Sequence, residues 1–235
     1  MKKVSFVIPC YRSANTTGVV VDEIRDTMPT LPEYDYEIIL VNDCSPDNTF
    51  DVISALARSD GRIIAVDLAK NFGQHAALMS GISHSTGDFV VCLDDDGQTP
   101  ANEVGKLLAR LEQDDCDVAM ASYEHKQHSA FRNFGTKLNN RMTEIMLGKP
   151  RDLSMTSYFA IKRFIVDEML KYKNCFPYLD GLILRCTRRI RTVPVQHRAR
   201  MEGSSGYTLG KLFALWMDGF TAFSVKPLRL ASIFG

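Results

Sequence analysis

Three consecutive carboxylates, Asp94-Asp95-Asp96, followed by Gly97-Gln98-Thr99-Pro100, are the residues of this chain best suited to chemistry. They follow an apolar run, Phe89-Val90-Val91-Cys92, that reads as a buried strand. Carboxylates at a strand mouth repel one another unless water solvates them or a cation sits among them. Asp94 and Asp96, with the amide oxygen of Gln98, offer hard oxygen donors at alternate positions. That set suits Mg2+ or Mn2+, and such an ion in turn suits a diphosphate. A lone D-x-D also occurs as an acidic turn, so the surrounding elements have to decide. Thr99-Pro100 reads as the N-cap and first-turn proline of a following helix.

The elements needed to position these residues are legible as an alternation. Apolar runs at 4–9, 36–42, 63–68, 88–93 and 117–122 read as strands, and helical patterns fill 17–27, 47–58, 74–84 and 102–112 between them. Such alternation predicts an α/β fold, a mostly parallel sheet with helices on both faces. Ligands of these sheets lie at the carboxyl ends of the strands. Three loops fall there: Pro9-Cys10-Tyr11-Arg12, Asn42-Asp43-Cys44-Ser45-Pro46-Asp47 and the acidic loop. No G-x-G-x-x-G or G-x-x-x-x-G-K follows the first strand, which removes support for dinucleotide and P-loop readings. Beyond Ser122 the pattern is less regular. An amphipathic helix is expected over 131–147, a strand over 157–161, a helix over 164–171 and one or two short strands over 191–200. A further amphipathic helix over 208–223 carries Leu209, Trp216 and Phe220; Pro227 breaks it, and 228–234 is apolar. Packing of that helix on the domain is the default, and an interfacial helix with Trp216 at headgroup level is the alternative.

Composition bounds the answer. A chain of 235 residues allows one α/β domain of ordinary size, or at most two small ones. Zero formal charge gives no global sign of a nucleic-acid partner. From Arg185 onward, however, nine Lys/Arg stand against two Asp/Glu, a pattern for a phosphate or membrane-surface patch or for a solvated face. Six scattered cysteines with no C-x-x-C spacing predict free thiols in a reducing compartment, not a disulfide frame or zinc site. Pro9 and Arg12 interrupt the first apolar stretch too soon for a secretory signal, and no stretch is long enough to span a bilayer.

Taken together, Val7-Ile8-Pro9-Cys10-Tyr11, Val41-Asn42-Asp43-Cys44-Ser45-Pro46-Asp47-Asn48-Thr49 and the Asp94-to-Gln98 loop resemble the family-2 glycosyltransferases of the type A fold. Asn71-Phe72-Gly73-Gln74, Gly81, Gly87-Asp88, the D-x-D-x-Q form, Gly203-Ser204-Ser205-Gly206-Tyr207 and Lys226-Pro227-Leu228-Arg229 narrow the likeness. They look like the polyprenyl-phosphate branch, which includes the dolichol-phosphate mannose synthase-like and bacterial undecaprenyl-phosphate sugar transferases. The resemblance implies a catalytic domain over 1–207 and amphipathic, juxtamembrane-like helices over 208–235, continuing into transmembrane helices. It implies a membrane-anchored protein at the cytoplasmic face, and it leaves homo-oligomerisation open.

The resemblance also implies roles. Pro9, Tyr11, Val41 and Asp43 would hold the nucleotide base, with Tyr11 stacking and Asp43 accepting the uracil imide N–H. Asp94, Asp96 and Gln98 would reach the metal, and Asp95 the ribose or sugar. Arg132 and Thr136, one helical turn apart, would contact the acceptor phosphate, and Arg200 the donor diphosphate. The chain departs from the pattern at Ser13, Asn42, Tyr123 and Gly206; the last two remove positive charge from the phosphate region. The implied activity is metal-dependent, inverting transfer of a hexose from a nucleoside-diphosphate sugar, with UDP favoured, to polyprenyl phosphate. A phosphate acceptor is already anionic and needs positioning more than a base. Two rivals stand beside it. One is transfer to a sugar hydroxyl with Asp180 as base, against a helix N-cap role for that residue; the other is a non-catalytic nucleotide-sugar-binding subunit.

Overall fold

The computed structural model describes residues 1–123, 144, 149–150, 153, 155–196 and 198. In chain order it contains β1 (Lys2–Cys10), α1 (Thr17–Thr27), β2 (Tyr34–Asn42), α2 (Thr49–Ser59), β3 (Ile63–Asp67), α3 (Gln74–His84) and β4 (Phe89–Cys92). A 3-10 turn (Ala101–Glu103) then leads into α4 (Val104–Leu111). After these come β5 (Val118–Tyr123), β6 (Phe159–Lys162), α5 (Arg163–Met169), α6 (Leu179–Cys186) and β7 (Ile190–Val195). The strands form one sheet in the order β3-β2-β1-β4-β6-β5-β7. Only β6 runs against its neighbours β4 and β5; the other pairings are parallel.

The two-residue period of the strands explains the two cores. Phe6, Ile8, Ile38, Leu40 and Val91 face Val20, Ile24, Ile53, Leu107 and Leu111, so α1, α2 and α4 cover one side. The intervening Val7, Ile39, Val41, Val90 and Cys92 face Ala77, Leu78, Ile82, Ile165 and Ile183, so α3, α5 and α6 cover the other. A sheet buried on both faces needs the near-continuous apolar runs read from the sequence. Helix α3 lies especially close to the sheet. A Cβ on Gly81 would sit 2.4 Å from Val7 Cγ1 and 3.0 Å from Val41 Cγ2, so glycine is what allows this approach. The chain moves outward from β1 to β3 and then returns beside β1 as β4, leaving a crevice at the carboxyl ends of β1 and β4.

The expected elements up to residue 123 are all present, and α1 and α3 have the expected bounds. One local reading is corrected. Thr99 caps no helix, because its hydroxyl turns back on the acidic loop, accepting the Asp94 N–H at 3.2 Å and donating to the Asp94 carbonyl at 3.4 Å. Pro100 accordingly precedes a 3-10 turn and does not open the α-helix. The six cysteines are free thiols, as expected. Among the described residues no helix is long and apolar enough to cross a membrane. The expected helices over 131–147 (apart from Glu144) and 208–223, and the apolar run 228–234, lie outside the described residues.

Candidate active site

The acidic loop leaves β4 directly beside β1, where the Leu93 N–H donates to the Val7 carbonyl at 3.3 Å. Two segments distant in sequence grip Asp94. Gln74 Nε2 donates to its Oδ1 at 3.0 Å, and the Ser157 hydroxyl donates to its Oδ2. Asp95 Oδ2 accepts the Tyr11 N–H at 3.1 Å, which ties the acidic loop to the loop after β1. Asp96 Oδ1 accepts the Gln98 N–H at 3.0 Å across a turn in which Gly97 takes φ 73°. That left-handed conformation suits a glycine. Burial pushes the Asp94 carboxyl up to about 6; the Ser157 bond works against this, and the charges of Asp96 and Asp95 add to it. Burial likewise raises Asp95. The Tyr123 hydroxyl at the end of β5 is pushed up, first by burial and then by the charges of Asp94 and Asp96, so this tyrosine faces the same carboxylates.

These residues fit a divalent cation by donor chemistry. The carboxylates are hard oxygen donors, and their mutual repulsion is the kind a cation relieves. Among the described residues no cluster of three or more His, Cys, Asp or Glu is arranged to hold a metal by itself. A small hard cation needs no such cage, since it is commonly held by one or two carboxylates and completed by substrate phosphate and water.

The loop after β2 is built around Asp43, which is buried. Its carboxylate accepts two main-chain donors, Phe72 N–H at 2.7 Å and Gly73 N–H at 2.9 Å, and its own N–H donates to the Cys10 carbonyl at 3.0 Å. Gly73 stands at φ 87°, and Arg12 and Cys44 hold φ 57° and 49° without being glycine. Non-glycine residues in this region carry local strain, and such strain clusters at binding loops. Pro9 and Val41 are directly paired in the sheet. Val41 is a core residue packed under α3, so what it can offer a nucleotide is its main chain. Tyr11 is exposed, with the Arg12 guanidinium 5.6 Å from its ring centre.

Asp180 lies in the first turn of α6; the N-cap is Tyr178, so the helix-cap role weighed for Asp180 is not the one it takes. The Tyr178 hydroxyl donates to Asp180 Oδ2 at 3.3 Å. Burial raises the Asp180 carboxyl to about 6, against the opposing effects of that bond and of the Lys149 charge. His75, the neighbour of Gln74, connects the start of α3 to this helix. Its Nδ1 accepts the Leu179 N–H at 3.4 Å, and its ring stands edge-on to Tyr178 at 5.2 Å between centroids. Burial lowers the imidazole to about 4, which keeps the ring a neutral acceptor.

The segment 71–75 therefore touches the Asp43 loop, Asp94 and the Asp180 helix. The structure brings Pro9, Tyr11, Val41, Asp43, Asp94, Asp95, Asp96, Gln98 and Asp180 to one edge of the sheet. Arg132, Thr136 and Arg200 lie outside the described residues. Sequence reasoning assigned no role to Gln74, His75 or Ser157. The first two carried a signal, being polar residues that open a helix at a strand's carboxyl end. Ser157, one hydroxyl in an irregular stretch, carried none.

Residues 5–170 match the family model described as Glycosyl transferase family 2. The chain is 34% identical over 236 residues to an undecaprenyl-phosphate 4-deoxy-4-formamido-L-arabinose transferase of Klebsiella pneumoniae subsp. pneumoniae, spanning 100% of this chain and 72% of that one. A protein of the same name from Sodalis glossinidius is 36% identical over 99% of this chain and 71% of its own. Among solved structures, mannosyl-3-phosphoglycerate synthase from Rubrobacter xylanophilus superposes with a TM-score of 0.64 at 20% identity, over 98% of this chain and 75% of that one. Glucosyl-3-phosphoglycerate synthase from Mycobacterium tuberculosis, in complex with Mn2+ and UDP-glucose, gives 0.61 at 18% identity, over 92% and 76%. At such identities the superpositions establish the type A fold, while the family match and the relatives establish descent. The chain is an enzyme and belongs to glycosyl transferase family 2.

Proposed function

We propose that this glycosyltransferase moves a sugar from a UDP-linked donor to a polyprenyl phosphate, with a divalent cation at the acidic loop. The observation that carries this reading is that the acidic loop and the Asp43 loop meet at one crevice through the loop after β1, where the Tyr11 N–H donates to Asp95 at 3.1 Å and the Asp43 N–H donates to the Cys10 carbonyl at 3.0 Å. Asp94 and Asp96, with Gln98, would hold Mg2+ or Mn2+, which when bound neutralises the departing diphosphate. Gln74 and Ser157 orient Asp94, so its geometry is set before substrate arrives. Tyr11, Asp43 and the main chain of Pro9 and Val41 would hold the base. Arg200 would meet the diphosphate, and Arg132 with Thr136 the acceptor phosphate. An anionic phosphate oxygen attacks without prior deprotonation, and direct displacement inverts the anomeric centre.

Support for the acceptor comes from the undecaprenyl-phosphate relatives, whose named sugar is an arabinose derivative. The donor screen therefore covers pentose as well as hexose donors. A second reading, transfer to a sugar hydroxyl, is favoured by one observation: the Asp180 carboxyl held near 6, a value suited to a general base. The test is incubation with labelled UDP-sugars and Mn2+, with undecaprenyl phosphate and soluble saccharides both present as acceptors, followed by butanol extraction. Label in the organic phase, lost with EDTA and largely retained in Asp180→Asn, supports the lipid-phosphate acceptor. Label transferred only to soluble saccharide, and abolished in Asp180→Asn, replaces it with the hydroxyl reading.

A further inference from the structure

Downstream of β7 the chain crosses back to the acidic loop at Arg198, and its contacts there are unusually concentrated for one half-exposed side chain. Arg198 Nη1 meets Glu23 Oε1 of α1 at 2.7 Å, and its Nη2 donates to Asn102 Oδ1 at 3.0 Å. Its main-chain N–H points at the Gln98 carbonyl at 3.4 Å. Glu23 Oε1 is shared, because it also takes the Asn102 N–H at 3.4 Å. Two residues earlier the Gln196 N–H donates to Glu103 Oε2 at 3.2 Å. Between these anchor points the Tyr158 hydroxyl, deep in the core, donates to the Pro100 carbonyl at 3.0 Å. The turn from Gln98 to Glu103 is therefore pinned from α1, from the exit of β7 and from below.

We propose that Arg198 is a positioning residue for the acidic loop, holding Gln98 at one end of this turn and Asn102 at the other against Glu23 of α1. The inference rests on the reading of that loop as the cation and diphosphate site. The physical argument has two parts. Asp94, Asp95, Asp96, Glu103 and Glu23 crowd negative charge around the turn, and Arg198 brings a fixed positive charge from a different part of the chain. The planar guanidinium also reaches two acceptors at once, which an ammonium does less well. Metal and diphosphate geometry tolerates displacements of only about half an ångström, so loosening this turn degrades cation-dependent binding without touching the base pocket.

The test is calorimetry of UDP with Mn2+, UDP with EDTA, and uridine, on wild type, Arg198→Gln, Arg198→Lys, Glu23→Gln and the double variant Glu23→Gln/Arg198→Gln. Arg198→Gln is expected to weaken Mn2+-dependent UDP binding about five- to tenfold, with uridine affinity unchanged within about twofold. Arg198→Lys and Glu23→Gln should lose less. The double variant should be no worse than Arg198→Gln, since the contact acts as a unit. If Arg198→Gln melts below the assay temperature, Arg198→Lys and Glu23→Gln carry the same comparison. Equal weakening of uridine and UDP, no change in either, or losses that add in the double variant overturn the proposal. Asp96→Ala separates the two levels. If it abolishes Mn2+-dependent binding while Arg198→Gln does not alter it, only the positioning role falls. If Asp96→Ala itself binds UDP with Mn2+ normally, the reading of the loop falls and this proposal with it.

Discussion

Asp43 and Asp94 illustrate how much of the work of a site residue goes into its own placement. Both oxygens of Asp43 accept main-chain N–H groups of Phe72 and Gly73, and both oxygens of Asp94 accept side-chain donors. A carboxylate has lone pairs to spare beyond these, so each can serve a ligand while shaping its loop. Asp43→Asn sets an amide N–H2 against one of the two main-chain donors. Uridine affinity should fall by about 1–3 kcal/mol, the usual penalty for an unpaired buried polar group, and titration calorimetry checks it. Equal affinity in both proteins would reduce Asp43 to a turn residue. Asp96 sits within a tight turn, where its Oδ1 accepts a local bond from the Gln98 N–H. Asp96→Ala should remove the Mn2+ dependence of UDP binding and leave the melting temperature within a few degrees of wild type.

At the scale of elements, α3 is the piece on which the crevice depends. Its first residues supply Gln74 to Asp94 and His75 to the start of α6, and the turn before it supplies both donors to Asp43. Its height above the sheet is set by Gly81, where an added methyl meets Val7 and Val41. Gly81→Ala should cost about 1–3 kcal/mol by overpacking, against the helix propensity it gains. Because the helix must lift or tilt to accommodate it, nucleotide affinity should fall as well. Thermal unfolding and UDP titration of the same sample read both effects. A variant more stable than wild type with unchanged affinity would show that the contact relaxes locally.

For the molecule as a whole, the edge of the sheet opposite the crevice holds a buried acid-sensitive anchor. Buried Glu37 on β2 takes Lys3 Nζ at 2.6 Å, Ser5 Oγ at 2.6 Å and the Thr86 N–H at 2.7 Å. Burial alone would raise its pKa; the bonds from Lys3, Ser5 and Thr86 outweigh it and lower the carboxyl from 4.5 to about 2. A depressed acid stabilises the folded state fully above its unfolded value and loses that contribution as pH falls toward the folded one. The window is therefore from about pH 4.5 down to pH 2. Glu37→Gln should be less stable than wild type at neutral pH, on the order of 2–3 kcal/mol, with the two denaturation curves converging near the acid end. A gap that stays constant across that window would show that the carboxylate charge contributes nothing. The excess of basic residues after Arg185 calls for a different measurement. Such residues near an anionic leaflet contribute about 1 kcal/mol each and are screened by salt. The protein should co-sediment with anionic liposomes at low salt and less at high salt. Retention in the supernatant at low salt would exclude a surface patch of this kind.

The alternation of strands and helices through residue 123 could be read directly, because each element there repeats its own hydrophobic period and is punctuated by its own turn residues. The acidic loop, the Asp43 loop and their common edge followed from that alternation, since strands of one direction deliver their carboxyl ends to one side. Chain order alone did not reveal that β6 enters antiparallel between β4 and β5, bringing Ser157, two residues before it, onto Asp94. Nor did it reveal that Thr99 folds back on the loop, that His75 meets the start of α6, or that Arg198 closes on Glu23. Local pattern reports the periodicity with which an element buries itself. Contacts between residues 63, 104 or 175 positions apart are decided only when the packed sheet fixes where each loop ends.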